Sequence, residues 1–170
     1  MPATTTTLPG LPGLPGLARL PKRRAPRARR HARRKRNVPV ERRAFDALVA
    51  DALAGIPPRF REALANLAIT VEREPSPALL REMEIEPPDT LLGLYQGTPL
   101  TERRWDYGNA LPDRILLFQR PLEQASEDTD DLRVAIGETL IHEIGHYFGL
   151  SEEEIEDIEE KYWKDVEEED

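Results

Sequence analysis

Residues 141–154 read IHEIGHYFGLSEEE, and this stretch decides how the chain is organised. It contains His142 and His146, which on a helix lie one turn apart on the same face. Two neutral imidazoles at that separation can share one Zn²⁺ ion. The carboxylate of Glu143 can then face a water molecule activated by the metal and accept its proton, so the spacing predicts a hydrolytic zinc site.

The histidines lie in a segment that has the pattern of a long helix. From Asp128 onward, apolar residues recur at i+4 spacing, and Ser126 or Asp128 is the expected N-cap. The apolar row consists of Leu132, Ile136, Leu140, Ile144 and Phe148. Because the histidines lie beside this row, the site is expected where the helix meets a sheet. The alternative is a pair of ordinary helix histidines, one of them a core residue.

The third metal ligand follows by elimination. The chain contains no cysteine and three histidines, and the remaining histidine, His31, lies in a basic N-terminal segment. A carboxylate must therefore complete the set. On an unbroken helix the following glutamates would lie about 10 Å beyond His146, too far to reach the same ion. A turn at Gly149 removes this obstacle and brings Glu152 back towards the metal.

Other interpretations of these glutamates remain open. Ser151 and Glu154 have the spacing of a capping box, which predicts a new helix with Ile155, Ile158 and Trp163 facing inward. Residues 152–154 could simply occupy its first turn, where the helix dipole favours acidic side chains. A rival third ligand is Glu156 or Glu160, presented from this second helix.

The two ends of the chain carry opposite charge. Residues 1–43 hold 13 Lys and Arg against one acid, and residues 151–170 hold 12 acids against two lysines. Repeated proline and glycine, followed by an arginine-rich block, predict a disordered arm over residues 1–39. We expect one domain over residues 40–164 and an acidic tail over residues 165–170. The arm could make weak nucleic-acid contacts through residues 19–36, or could be a solvated tail, since no aromatic residues interleave with its arginines.

The residues between the arm and the long helix alternate between helical and strand patterns. Apolar spacing predicts a helix that ends near Gly55–Pro58 and a short second helix. Alternating residues predict three short strands separated by polar or proline-rich loops, one of which holds a single helical turn at Ala78–Met83. The predicted strands are 67–72, Leu91–Tyr95 and Ile115–Phe118. The expected class is therefore α+β, a small sheet packed on the long helix.

The pattern His142-Glu143-x-x-His146-x-x-Gly149-x-x-Glu152 resembles the extended zincin signature, in which a glycine turn brings round the third ligand. Together with LLGLYQGTPL and LPDRILLFQRPL, it resembles the small bacterial zincin-like metallopeptidase family over about residues 41–160. The resemblance implies a minimal α+β zincin domain without a large C-terminal subdomain. The family usually has Asp at the position of Glu152, so this chain differs by one methylene.

We therefore expect a zinc metallopeptidase in which His142, His146 and Glu152 hold Zn²⁺. Glu143 would be the general base and then the acid that protonates the leaving amine. A donor beside the metal would stabilise the oxyanion, and the sequence does not choose among Tyr95, Tyr107, Tyr147 and Arg104.

The expected partner is a peptide or protein substrate, which could pair with the sheet edge near Leu91–Tyr95. No apolar run is long enough to cross a bilayer and no secretory signal is recognisable, so we expect a cytoplasmic monomer. The alternatives are a non-catalytic zinc-binding interaction module and a nucleic-acid-associated protein that uses the basic arm.

Overall fold

The computed structural model describes residues 38–104 and 112–168, and it describes the side chains of the last helix as far as Glu160. The predicted arm over residues 1–39 lies outside the described residues except for its last two positions. Tyr107, the side chain of Trp163 and the final two residues of the acidic tail also lie outside them.

Six α-helices and three strands form the described part of the chain. In chain order they are α1 (Arg42–Gly55), α2 (Pro58–Leu64), β1 (Ala68–Glu72), α3 (Pro77–Glu82), β2 (Gly93–Gln96), β3 (Arg114–Phe118), α4 (Gln119–Ala125), α5 (Thr129–Tyr147) and α6 (Glu152–Glu168). A short 3-10 helix, Leu100–Glu102, lies between β2 and β3. The predicted α+β class is confirmed.

The sheet has the strand order β1-β3-β2, so β3 is central. β1 pairs with β3 in parallel, with Ile69 opposite Ile115. β2 pairs with β3 in antiparallel fashion, with Tyr95 opposite Ile115. β2 is therefore an edge strand, and it lies beside the C-terminal half of α5, where the Tyr95 N–H meets Glu143.

The two faces of the sheet belong to two separate apolar clusters. Ile115 and Leu117 point into the larger cluster, which they share with α1, α4 and α5. Leu116 and Phe118 point into the smaller one, which includes residues from α3 and the loop after it. This alternation is the period of two that a strand requires, and it places one face of the sheet directly on α5.

Helix α5 is the centre of the larger cluster. Asp128 is its N-cap, and the carboxylate accepts a hydrogen bond from the Asp131 backbone N–H at 2.9 Å. Four members of the predicted apolar row have no exposed surface: Leu132, Ile136, Leu140 and Ile144. The prediction of a long, buried helix with its N-terminus near Asp128 is confirmed.

Two local predictions differ from the structure. The second strand begins at Gly93, two residues later than predicted, although the pairing with β3 already starts where Phe118 N–H donates to the Leu92 carbonyl. Helix α4 has no counterpart in the sequence-based assignment. It spans seven residues, it follows β3 without a loop, and it contains Pro121, which is tolerated in a first helical turn.

Helix α4 also contacts the segment that precedes α1. The buried Glu123 accepts hydrogen bonds from the Val40 backbone N–H at 3.1 Å and from the Gln119 side chain at 2.8 Å.

Within the described residues, no helix is both long and apolar enough to span a membrane.

Candidate metal centre

A glycine turn ends α5 and reverses the chain. Gly149 has φ of +77°, a conformation that residues with a Cβ rarely adopt. Its N–H donates to the His146 carbonyl at 2.9 Å, and the Leu150 N–H donates to the Gly145 carbonyl at 3.1 Å. This pair of bonds is a Schellman motif. The side chain of Thr101 packs so closely against Gly149 that a Cβ there would overlap it.

A capping box starts α6 immediately after the turn. The Ser151 hydroxyl accepts a hydrogen bond from the Glu154 N–H at 3.3 Å, and the Glu154 carboxylate accepts one from the Ser151 N–H at 2.8 Å. Glu154 is thus committed to capping, and the hydrogen bonds from Ser151 lower its pKa. Glu152, the first residue of α6, is left to point back towards α5.

Three side chains converge at this point. The Nε2 atom of His142 lies 3.4 Å from Glu152 Oε2, and the Nε2 atom of His146 lies 3.3 Å from Glu152 Oε1. All three potential ligand atoms lie within 4.8 Å of one another. Two ligand atoms bound to one tetrahedral zinc ion at the usual distances are about 3.3–3.4 Å apart, so the two distances from the histidines to Glu152 match those of a zinc site.

The hydrogen-bond pattern makes the same point. Among the side chains that the structure describes, the buried polar atoms without a hydrogen-bond partner are the Nε2 atoms of His142 and His146. Each faces a carboxylate, which only accepts hydrogen bonds. A neutral imidazole that presents its lone pair to a carboxylate is unfavourable unless a cation lies between them. The residues present therefore fit a divalent metal ion with nitrogen and oxygen ligands.

A second carboxylate contacts the other nitrogen of the first histidine. Glu159 Oε1 lies 3.1 Å from His142 Nδ1. The sequence-based ligand rivals, Glu156 and Glu160, are not members of the converging group. Glu159 was missed, although a signal was available: it follows Glu152 by seven residues, or two helical turns, and so shares its face.

The close approach of α6 to α5 depends on a small residue inside the HExxH motif. A Cβ built on Gly145 would lie 2.6 Å from Cγ1 of Ile155, which is itself buried. Sequence reasoning did not assign Gly145 a role. Because Ile155 lies between Glu152 and Glu159 on α6, this contact sets the distance from both carboxylates to the histidines.

Glu143 lies in the same helix turn but faces the sheet. It is almost fully buried, and its Oε2 atom accepts a hydrogen bond of 2.7 Å from the backbone N–H of Tyr95 in the edge strand β2. Burial raises the pKa of Glu143 to about 7, although His142 and the Tyr95 N–H act to lower it. Its carboxylate therefore lies between the metal cluster and the sheet edge, and it can exchange a proton near neutral pH.

The histidines differ in their electrostatic environments. Burial, together with the neighbouring His142, lowers the pKa of His146 to about 4. Burial also acts to lower the pKa of His142, but the hydrogen bond to Glu159 and the charges of Glu143 and Glu152 outweigh it, so the net shift is upward. His146 is accordingly neutral at physiological pH and has a lone pair available for a metal.

The structure shows the contacts of two of the candidate oxyanion donors, Tyr95 and Tyr147. The Tyr95 hydroxyl donates to Asp113 Oδ2 at 3.0 Å, which also pairs with Arg103. Burial and the contact with Asp113 raise the pKa of Tyr95. The Tyr147 ring is buried against Tyr95, with the Arg103 guanidinium 5.3 Å from its centroid.

The other two candidates are Arg104 and Tyr107. Arg104 is exposed, and Tyr107 lies outside the described residues. Tyr95 is already committed to Asp113, so none of the three described candidates is singled out by its contacts.

The match to one family model agrees with this geometry. The family model described as zincin-like metallopeptidase matches residues 64–162, more than half of the chain's 170 residues. No curated protein matches the chain. One solved structure, a conserved hypothetical protein from T. thermophilus, is similar at 23% identity over 63% of this chain and 92% of its own length, with a TM-score of 0.42. On the family match, the chain belongs to the zincin-like metallopeptidase family.

Proposed function

We propose that the protein is a zinc-dependent metallopeptidase in which His142, His146 and Glu152 hold the metal and Glu143 is the general base. The observation that carries the proposal is the pair of buried, unpartnered Nε2 atoms that face one carboxylate at 3.3–3.4 Å. Family membership supports the reaction class, and the three-ligand set leaves a coordination position for water or substrate, as catalytic zinc sites require.

Zinc bound there would supply an acidified water molecule and a Lewis acid for the substrate carbonyl. The chain's own residues would manage the proton. Glu143 Oε2 is held by the Tyr95 N–H, so the carboxylate keeps a fixed orientation while its second oxygen accepts the proton from water. The same group can then pass the proton to the leaving amine.

The edge strand supports a peptide as the substrate. β2 is a sheet edge, and the Tyr95 N–H on its outer side already reaches the general base. An extended peptide lying along this edge would place a carbonyl beside Glu143.

A cytoplasmic location and a monomeric state remain expectations, as do the domain limits of 40–164 and the nucleic-acid contact of residues 19–36.

The proposal is tested with metal analysis and a peptide-library cleavage assay on the purified full-length chain. We expect about one zinc per chain and cleavage that stops on chelation and returns when zinc is restored. Glu143→Gln should keep its zinc but lose activity by a factor on the order of 10²–10⁴, since general-base catalysis contributes about that much.

Glu153→Gln provides a matched control, because Glu153 is an exposed glutamate outside the converging group. It should behave as wild type. Cleavage by Glu143→Gln at the wild-type rate, or a wild-type chain that binds no zinc, would overturn the proposal. A zinc-loaded wild type that cleaves no peptide would instead favour the non-catalytic zinc module.

A further inference from the structure

Helix α6 presents one continuous face to the metal cluster. Glu152, Ile155 and Glu159 follow the i, i+3, i+7 spacing of a single helix face. The middle residue, Ile155, is buried on Gly145 of α5. The two carboxylates on either side of it therefore both point at α5, one turn before and one turn after the contact.

The two carboxylates contact opposite nitrogens of the same imidazole. Glu152 lies at the Nε2 side of His142, and Glu159 lies at the Nδ1 side at 3.1 Å. Their exposure also differs: the Glu159 side chain is 22% exposed, whereas that of Glu152 is 48% exposed. Glu159 is therefore the more enclosed of the two, although it lies further from the metal cluster.

The contact favours the tautomer of His142 in which Nδ1 carries the hydrogen. An ionised carboxylate can only accept, so the bond of 3.1 Å exists only when Nδ1 is protonated. In the neutral ring Nε2 then carries the lone pair, as a metal ligand must. Without that partner the ring could adopt the other tautomer or rotate, and either change would reduce metal affinity.

We propose that Glu159 is a positioning residue that holds His142 in its metal-binding tautomer and orientation. This inference rests on the proposed zinc site and adds a residue outside the HExxHxxGxx[D/E] pattern. It assigns α6 two tasks, since the helix would supply one direct ligand and, two turns later, the group that orients another ligand. Glu159 itself would not touch zinc or substrate.

The experiment compares zinc dissociation constants, measured by competition with a chromophoric chelator, for wild type, Glu159→Ala and Glu159→Gln. Outer-shell partners of metal-binding histidines typically contribute about 10–100-fold in affinity, so we expect a loss in that range for Glu159→Ala. Glu159→Gln should recover part of the loss, because its amide oxygen can accept the same hydrogen without the charge.

Glu156→Ala is the matched control. Glu156 is an exposed glutamate on the same helix, and its charge also acts on Glu152, so its removal reproduces the change in charge without touching His142. Its zinc affinity should stay within about twofold of wild type.

A second readout does not depend on zinc. Nitrogen-15 NMR of the imidazoles in the metal-free protein should show a protonated Nδ1 for His142 in wild type and a loss of that signature in Glu159→Ala. Circular dichroism should show the same helix content in both, which separates positioning from a folding defect.

The outcomes separate the two proposals. If wild type binds no zinc, the proposed function fails and the positioning role fails with it. If wild type binds zinc and Glu159→Ala binds it equally tightly, only the positioning role is overturned. An unchanged His142 tautomer in Glu159→Ala would also overturn it.

Discussion

The two helices that build the metal cluster are held in place in opposite ways. Helix α5 runs through the apolar core, and the side chains of its two histidines are each only 9% exposed. Helix α6 lies on the surface, is attached through Ile155 and Ile158, and presents Glu152 with 48% of its side chain exposed. The cluster therefore combines a rigid half with a half whose position depends on the turn between the helices.

We therefore expect the three ligands to contribute unequally to zinc affinity. Removal of a buried histidine side chain leaves a cavity in the core, whereas water can take the place of an exposed carboxylate. Glu143 must be ionised in the core to act as a base, and this ionisation costs free energy. The exposed Glu152 can ionise at little cost in free energy, but its position depends on the conformation of Gly149, which other residues rarely adopt.

The largest expected effect is on zinc affinity when ligands are removed one at a time. His142→Ala and His146→Ala should each weaken zinc binding by more than about 100-fold, beyond the range for outer-shell groups. Glu152→Ala should cost less than either. Glu152→Asp, which introduces the residue usual in the family, should stay within about tenfold of wild type. Equal losses for Glu152→Ala and the histidine variants, measured by chelator competition, would show that the buried and the exposed ligands contribute equally.

The next effect concerns the metal-free protein and its dependence on pH. The folded-state pKa of Glu143, about 7, lies above its ordinary value of 4.5, so the native state holds the proton more tightly than the unfolded state. That contribution to stability is fully present below pH 4.5 and is lost as the pH rises through 7. Glu143→Gln removes the ionisation, and its free energy of unfolding at pH 8 should exceed that of wild type by about 3 kcal/mol.

Urea unfolding of the two metal-free chains at pH 8 and pH 5 measures this difference. Most of it should disappear at pH 5, where the wild-type carboxyl is protonated in the folded state. A stability difference that does not change with pH would mean that Glu143 is not confined in the buried half as described.

The smallest effect tests the turn. Gly149→Ala forces a Cβ into a positive φ and against Thr101, so it should lower the free energy of unfolding by about 1–3 kcal/mol. It should also weaken zinc binding, because α6 would start in a different direction. Gly137→Ala is the control: a Cβ there meets nothing within 4 Å, and the change should stabilise α5 by up to about 1 kcal/mol. Thermal melts with and without zinc would measure the change in stability and the effect of zinc for each variant. A Gly149→Ala chain that melts like wild type in both conditions would show that the turn does not set the position of α6.

Much of the site could be predicted because its signals are local. The histidine pair depends on helical periodicity, the turn on a glycine that follows the second histidine by three residues, and the start of α6 on the Ser151 and Glu154 capping box. Each of these involves residues within one or two helical turns of one another. The strands were predicted for the same reason, with an error of two residues at the start of β2. Helix α4 was missed because seven residues show no clear periodicity.

The remaining features depend on contacts between distant segments. The bond from Tyr95 N–H to Glu143 requires the register of β2 on β3 and the packing of the sheet on α5, which no short pattern contains. The close contact of Ile155 with Gly145 fixes which face of α6 packs on α5. Glu159 lies on that face and therefore reaches His142.

The residue types of the cluster and the helix that carries the histidines follow from the amino-acid sequence, because the spacing of side chains along a helix is a local property of the backbone. Which of the many acidic residues of α6 meet those histidines, and what holds the general base, follow from the packing of the folded chain. Those outcomes depend on how closely two helices and a strand edge approach, and that distance is set by packing between residues far apart in the chain.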